Sequence, residues 1–306
     1  MVISKIIGGL GNQMFQYAMG RAVAERNQDE LVLDNRSFNT YFRKYSLDQF
    51  CIQGTKITDK EATTLKKYEW NHSPFLFLEN QKPIPRRAFR RENPRDYFQY
   101  VADYQTGTNK PFIYLDGYWQ NEGYFKSIRE ILLNEFTLKP EYAIKDEQLL
   151  KDLAQPDTVS LHIRRGDYLS SKATAYGVLP ASYYQTGLDT ITNRIRHQPT
   201  AVYIFTDDPT WVIRHLHLDL PMHIVSQEIE LTDSQELVAM SLCHHQIIAN
   251  STFSWWAAWL NTHSTKQIVA PFTWIQNDNY STWKKGPVPD EWERVENELV
   301  HAPNPM

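Results

Sequence analysis

The chain has 306 residues, 42% hydrophobic and 22% charged, with a formal net charge of −4; that is the composition of a globular protein long enough for two ordinary domains. The acidic balance argues against a dedicated nucleic-acid binder, which carries a basic surface. Two cysteines, Cys51 and Cys243, build neither a disulfide framework nor a zinc framework, and a buried free thiol is expected at Cys243.

The elements can be read in chain order. "MVISKIIGGLGNQ" lacks a basic leader and a cleavage site, and no stretch approaches the roughly 18 apolar residues that cross a bilayer. A cytoplasmic protein is therefore expected, in which the sequons at Asn35, Asn250 and Asn279 go unused. Val2, Ile3, Ile6 and Ile7 predict a short buried strand, "GGLGNQ" a turn, and Met14, Phe15, Ala18, Met19, Ala22 and Val23 recur at helical spacing before the strand "ELVLD". This is a βαβ unit, parallel with a right-handed crossover. Residues 36–110 resist assignment, being rich in aromatic and polar residues and broken by Pro74, Pro83, Pro85 and Pro94. "FIYLDGYWQNEGYF" predicts strand, turn and helix, and residues 140–157, with Pro140 and Pro156, a linker. Beyond it "TVSLHI", "AVYIFT", "MHIVS", "QIIAN" and "QIVAP" alternate with helical segments such as "ASYYQTGLDTITNRI" and "TFSWWAAWLNTH". The expected fold class is α/β: domains 1–150 and 151–306, a cleft between them, and a C-terminal tail packing back on the first. In such sheets ligands sit beyond the carboxyl ends of the strands.

Four motifs fall at those ends. "GGLGNQM" lacks the third glycine of the dinucleotide fingerprint, since Met14 stands in its place. Gly9 and Gly11 still open a helix whose N–H groups, with the Asn12 amide, attract anions; a turn needing glycine only for its backbone is the alternative. In "HIRRGDY" side chains alternate, so Arg164 shares a face with His162 and points into the site, while Arg165 is structural and paired with Asp167. A guanidinium grips a diphosphate in a way lysine does not match; a surface ion pair is the bland reading. An adhesion role for Arg165-Gly166-Asp167 needs an exposed loop on a secreted chain.

"TDDP" has three readings. Asp207 and Asp208 can chelate a divalent metal through a diphosphate, accept from guanine's N–H edge, or, for Asp208 before Pro209, cap a helix. "ANSTFSWWAAWL" places the hydroxyls of Ser251, Thr252 and Ser254 at a helix start, with Trp255, Trp256 and Trp259 as core. "RRAFRRENPR", residues 86–95, is either a solvated face or a contact for an anionic membrane surface or lipid-diphosphate acceptor.

With "GGLGNQMFQYA", "DGYWQNEGYF", "HIRRGDY" and "ANSTFSWWAAWL" in this order, the sequence resembles the α-1,2-fucosyltransferases of glycosyltransferase family 11 over most of its length. The resemblance implies a GT-B-like fold, two Rossmann-type domains facing a central cleft. It implies inverting, metal-independent transfer of L-fucose from GDP-β-L-fucose to the 2-hydroxyl of a terminal β-galactose, in O-antigen or other surface-glycan synthesis. No cofactor beyond that donor is implied; the acceptor would be lactose or a lipid-linked oligosaccharide, with peripheral contact at the inner membrane face.

Residue by residue, the resemblance implies that Arg164 holds the β-phosphate and His162 lies near the nucleotide. Asp207 or Asp208 would meet guanine, and Asn250, Ser251, Thr252, Phe253 and Ser254 would form the diphosphate-binding turn. Gly9, Gly11 and Asn12 would line the sugar-diphosphate from the first domain. For a general base Asp167 is nearest in sequence, with Glu122 and Asp34 as others. Tyr118 and Trp119 stack on a sugar or belong to the core. Competing readings are a non-catalytic nucleotide-sugar or glycan-binding protein, a transferase of different linkage, and a metal-dependent transferase built on Asp207 and Asp208. Turnover, product linkage and a chelator separate them.

Overall fold

A computed structural model describes all residues except 70–72, 108, 170–175, 276–280 and 301–306, so the sequon at Asn279 lies outside the described residues. The chain divides into two compact units, Met1–Thr137 and Leu138–Met306. The division thus precedes the 140–157 segment instead of falling at residue 150.

In the first unit β1 (Val2–Lys5), α1 (Leu10–Asn27) and β2 (Leu31–Asp34) form the expected parallel βαβ unit. The stretch that resisted assignment supplies β3 (Thr55–Lys56), α2 (Asp59–Glu69), α3 (Pro74–Asn80) and β4 (Phe89–Arg91). These elements are short, and proline starts one of them: Ser73 caps α3 with Pro74 in its first turn. β5 (Ile113–Asp116) completes an all-parallel sheet in the order β3-β2-β1-β5-β4. Ile3, Val32, Leu65, Tyr68, Phe89 and Tyr114 pack on one face, Phe89 stacking on Tyr114 at 4.8 Å. After β5 come 3-10 turns, and the helix α4 begins only at Arg129 (Arg129–Glu135).

The second unit opens with α5 (Glu147–Leu153), inside the expected linker. Asp146 caps it by accepting the Leu149 N–H at 2.9 Å, and Leu149 and Leu153 are buried. Next come β6 (Thr158–Ile163), α6 (Ala181–Ile195), β7 (Ala201–Thr206), α7 (Pro209–His215), β8 (Met222–Ile224), α8 (Val225–Glu228) and α9 (Asp233–Leu242). The unit ends with β9 (His245–Ile247), α10 (Thr252–Leu260), β10 (Ile268–Pro271) and β11 (Glu293–Val295). The six strands lie in the order β11-β10-β9-β6-β7-β8. β6 and β7 are buried at every position, as parallel strands covered on both faces must be. Tyr183, Tyr184, Leu188 and Ile191 of α6 pack on Val159, Leu161, Val202 and Ile204. In the described part of the tail β11 pairs with β10, and Val300 bridges Val178.

Candidate active site

In the second sheet β6 has β7 on one side and β9 on the other, so successive connections leave β6 and β9 in opposite directions. That is a topological switch point, where a doubly wound sheet leaves a crevice beyond its carboxyl ends. Two motifs flank it, His162–Asp167 at the end of β6 and Asn250–Ser254 after β9, and "TDDP" follows the neighbouring β7.

At the β6 end Arg164 lies between two carboxylates. Its Nε donates to Asp167 Oδ1 at 2.9 Å, and its Nη1 stands 3.0 Å from Asp207 Oδ2. Burial works against the guanidinium charge, but Asp207 and Asp167 more than offset it and hold its pKa above the usual value. Asp207 also accepts the backbone N–H groups of Arg165 and Gly166 at 2.8 and 3.1 Å. A Cβ on Gly166 would sit 2.9 Å from Asp207 Oδ2, so glycine permits this carboxylate to close the turn. Arg165 pairs with Asp208 at 3.1 Å, not with Asp167, and its guanidinium lies 4.3 Å from the Trp211 ring centre. Asp208 caps α7 through the Trp211 N–H at 3.0 Å. Both aspartates are thus occupied in holding the arginines, the turn and the helix.

His162 points away from α6 toward Phe253 of α10, with ring centres 5.6 Å apart. Burial, with Arg164 nearby, drives its pKa down to about 3, so the imidazole is neutral at physiological pH. Its Nδ1 is buried with no hydrogen-bond partner among the described residues.

Across the crevice Ser251 caps α10 and accepts the Phe253 N–H at 3.3 Å. The N–H groups of the first turn of such a helix lack intrahelical acceptors and favour an anion. Ser254 does not offer its hydroxyl outward: it is 1% exposed and donates to Ser251 O. Asn250 spends its Nδ2 on the carbonyls of Tyr176 at 2.9 Å and Trp274 at 3.1 Å, a structural role that holds the turn. Tyr168 ties the two sides together by donating to Asn250 O at 3.1 Å. Thr252 and Phe253 are half-buried, and Trp255, Trp256 and Trp259 are core, as expected.

One carboxylate here was not anticipated. Glu236 of α9 accepts the Ser226 hydroxyl at 2.7 Å. Burial raises its pKa, the Ser226 bond opposes this, Asp233 and Asp207 add to the rise, and Arg164 counters it. Nothing in "SQELVAMSL" distinguishes it from an ordinary polar helix position.

The first unit has its own switch point, between β1 and β5, and "GGLGNQ" and "DGYWQ" flank it. Gly8, not Gly9 or Gly11, carries the left-handed backbone at φ +96°. Gly9 occupies the N-cap at φ −71°, and Gly11 is buried within α1. Asn12 accepts from Gln120 Nε2 at 2.8 Å, joining the two loops. Gln13, fully buried, donates to Gly8 O and Lys44 O and accepts the Ser46 N–H. Gln16 accepts the Ile7 N–H at 2.8 Å. These glutamines were missed because a polar residue inside a helical pattern reads as solvent-facing.

The β5 motif separates its two aromatics. Trp119, at φ +56°, is fully buried and belongs to the core, while Tyr118 is 37% exposed. Glu92 accepts both of their N–H groups, at 2.7 and 3.2 Å, and burial pushes its pKa up to about 7. Of the other proposed bases, Asp34 is 3% exposed and bonded to Arg36 and Tyr114. Burial would raise its pKa, but those bonds hold it below the usual carboxylate range. Glu122 pairs with Lys126.

The basic run is neither a solvated face nor an open basic patch. Arg90 is fully buried and donates to the carbonyls of Tyr104, Arg87 and Pro85. Arg87 donates to Lys82 O and Asn80 O, and Arg91 pairs with Asp116. Only Arg86 and Arg95 of the five stand exposed.

The comparisons agree with the motifs. A family model described as Glycosyl transferase family 11 matches residues 1–296. An alpha-1,2-colitosyltransferase of Escherichia coli is 28% identical over 97% of this chain and 99% of its own length. The O-antigen biosynthesis glycosyltransferase WbnK of Escherichia coli is 30% identical over 91% of this chain and 96% of its own. Among solved structures, fucosyltransferase NodZ from Bradyrhizobium is similar at 18% identity and a TM-score of 0.45, over 84% of this chain and 91% of that one.

Proposed function

The chain belongs to glycosyl transferase family 11, and on that premise we propose that it moves L-fucose from GDP-β-L-fucose to the 2-hydroxyl of a terminal β-galactose, with inversion, in O-antigen or other surface-glycan synthesis. The observation that carries this reading is Arg164 held between Asp167 and Asp207 at a switch point, opposite the capped start of α10. A guanidinium and a helix N-terminus facing one crevice form a receptor for a diphosphate.

In the proposed reaction the acceptor oxygen attacks the anomeric carbon from the side opposite GDP, and the sugar–phosphate bond breaks. Negative charge then builds on the β-phosphate, where Arg164 and the α10 N–H groups stabilise it. Neutral His162 lines the site without adding a second positive charge. The acceptor proton passes to Asp167, whose side chain is 45% exposed and holds Arg164 through Oδ1. A carboxylate suffices as the base where the transition state is rich in oxocarbenium character. With Asp207 and Asp208 committed elsewhere, Glu236 is our choice for the guanine N–H edge. Their commitment also supports a reaction that needs no metal, since neither aspartate is set to chelate.

The test is GDP release from GDP-fucose in chelator, with and without a β-galactoside, followed by linkage analysis. Acceptor-dependent release with an α-1,2-linked product is expected. GDP binding without turnover on any β-galactoside, or activity lost in chelator, overturns it. The same linkage made from a colitose donor is the second reading, favoured by the Escherichia coli relative; paired donors in one assay decide between them.

A further inference from the structure

The outer face of α3 is apolar and exposed. Leu76 and Glu79 are each 4% exposed, whereas Phe75, Phe77 and Leu78 are 53%, 65% and 60% exposed. At about 100° per residue, Leu76 and Glu79 lie on the inner side, Pro74, Phe77 and Leu78 on the opposite side, and Phe75 at the margin. The helix cannot roll to hide its phenylalanines. Leu76 is part of the core with Leu65 and Tyr68, and Glu79 accepts the Ala88 N–H and pairs with Lys82. Single exposed apolar side chains are ordinary, but three on one short helix make a patch.

The surroundings of the patch are basic. Lys67, in the last turn of α2, has its ammonium 5.7 Å from the Phe75 ring centre. Residues 66–87 carry Lys66, Lys67, Lys82, Arg86 and Arg87 against Glu69 and Glu79, in a chain whose net charge is −4. An apolar face with lysines at its rim fits the boundary between acyl chains and anionic headgroups. A second copy of the chain fits less well. A seven-residue helix is about 10 Å long, too small for the roughly 800 Å² per partner of a stable interface. A two-fold contact there would also set lysines against lysines.

We propose that α3 docks this glycosyltransferase on an anionic lipid bilayer, with Phe77 and Leu78 in the acyl boundary and Lys66 and Lys67 among the headgroups. The surface is independent of the donor sugar, and it shares only Arg86 and Arg87 with the arginine run first expected to meet a membrane. Sedimentation of the full chain with vesicles tests it, comparing phosphatidylcholine alone with phosphatidylcholine plus phosphatidylglycerol. Binding to the mixed vesicles is expected, weakening with salt. The double variant Phe77→Ser, Leu78→Ser lowers partitioning about tenfold or more, and Lys66→Gln with Lys67→Gln removes the preference for anionic lipid. Circular dichroism establishes that both variants are folded. Absent partitioning, partitioning unchanged in the Phe77/Leu78 variant, or a concentration-dependent dimer abolished by that variant without vesicle binding overturns the proposal.

Discussion

Arg164 is useful because two carboxylates hold it in one place. Arg164→Ala should lower kcat/KM for the donor by about a hundredfold or more while the unfolding midpoint stays close to that of the parent. Arg164→Lys should recover little, because an ammonium keeps the charge but not the two-pronged geometry; steady-state kinetics on both variants checks this. Asp207→Ala removes acceptors for one guanidinium and two backbone N–H groups. It should cost about 1–3 kcal/mol in chemical denaturation and weaken GDP binding measured by calorimetry. The importance of Arg164 was legible in "HIRRGDY", since strand alternation and glycine are local signals. Its partnership with Asp207 was not, because the carboxylate arrives from the end of the neighbouring strand.

The turn between β1 and α1 shows how an element can be right in type and misread in detail. Three glycines look equivalent in "GGLG", but only Gly8 has a positive φ, and a Cβ there would stand 2.9 Å from Asn12 Nδ2. Gly8→Ala should therefore destabilise the protein by about 1–3 kcal/mol. Gly9→Ala should be nearly neutral, since its φ is −71° and its Cβ would meet nothing within 4 Å. Equilibrium unfolding of the pair decides. The same lesson applies to "RRAFRR": a charge run suggests a surface, yet β4 carries Arg90 inward, where three carbonyls satisfy it. Burial lowers its pKa to about 10, so it remains cationic at neutral pH.

Over the whole molecule, the two ends of the second sheet differ in chemistry. The carboxyl end holds the arginines, and the amino end gathers Asp157, His197, His244 and His245. There the His244 Nδ1 accepts the Asp157 N–H at 3.1 Å and the His245 Nδ1 accepts the Gln267 N–H at 3.0 Å. Each ring's other nitrogen must then carry the proton, and it faces Thr265 or Asp157, which leaves these rings poorly suited to a metal. Burial, with His244 beside it, lowers the His245 pKa to about 4, and burial with His263 lowers that of His244. At these two rings the folded state thus binds fewer protons than the unfolded chain, whose histidines titrate near 6.5, and the stability at issue is what they contribute. Stability is fully present above that value and is lost as pH falls from about 6.5 toward 4, by an amount on the order of 2–3 kcal/mol. His197, exposed and raised by Asp157, works in the opposite direction. Glu92, raised by burial to about 7, also works in the opposite direction and His162, lowered to about 3, in the same one. The cluster is therefore read by comparing unfolding free energies of the parent and His245→Asn: the stability difference between them should change with pH across this range.

Sequence alone determined the α/β class, the parallel βαβ opening, the run of α6 from Ala181 to Ile195 and the motifs at the ends of β1, β5, β6 and β9. Apolar periodicity, glycine turns and capping residues act over a few neighbouring positions, so they can be read without a fold. Only tertiary structure decided which strands became neighbours, and hence that the motifs flank two switch points. It also paired Arg165 with Asp208, brought Glu236 toward Arg164, buried Arg90 and Trp119, and left Phe77 and Leu78 exposed. Parallel sheets join the carboxyl ends of segments far apart in the chain, and no local pattern records which distant carboxylate or carbonyl will meet a given side chain there.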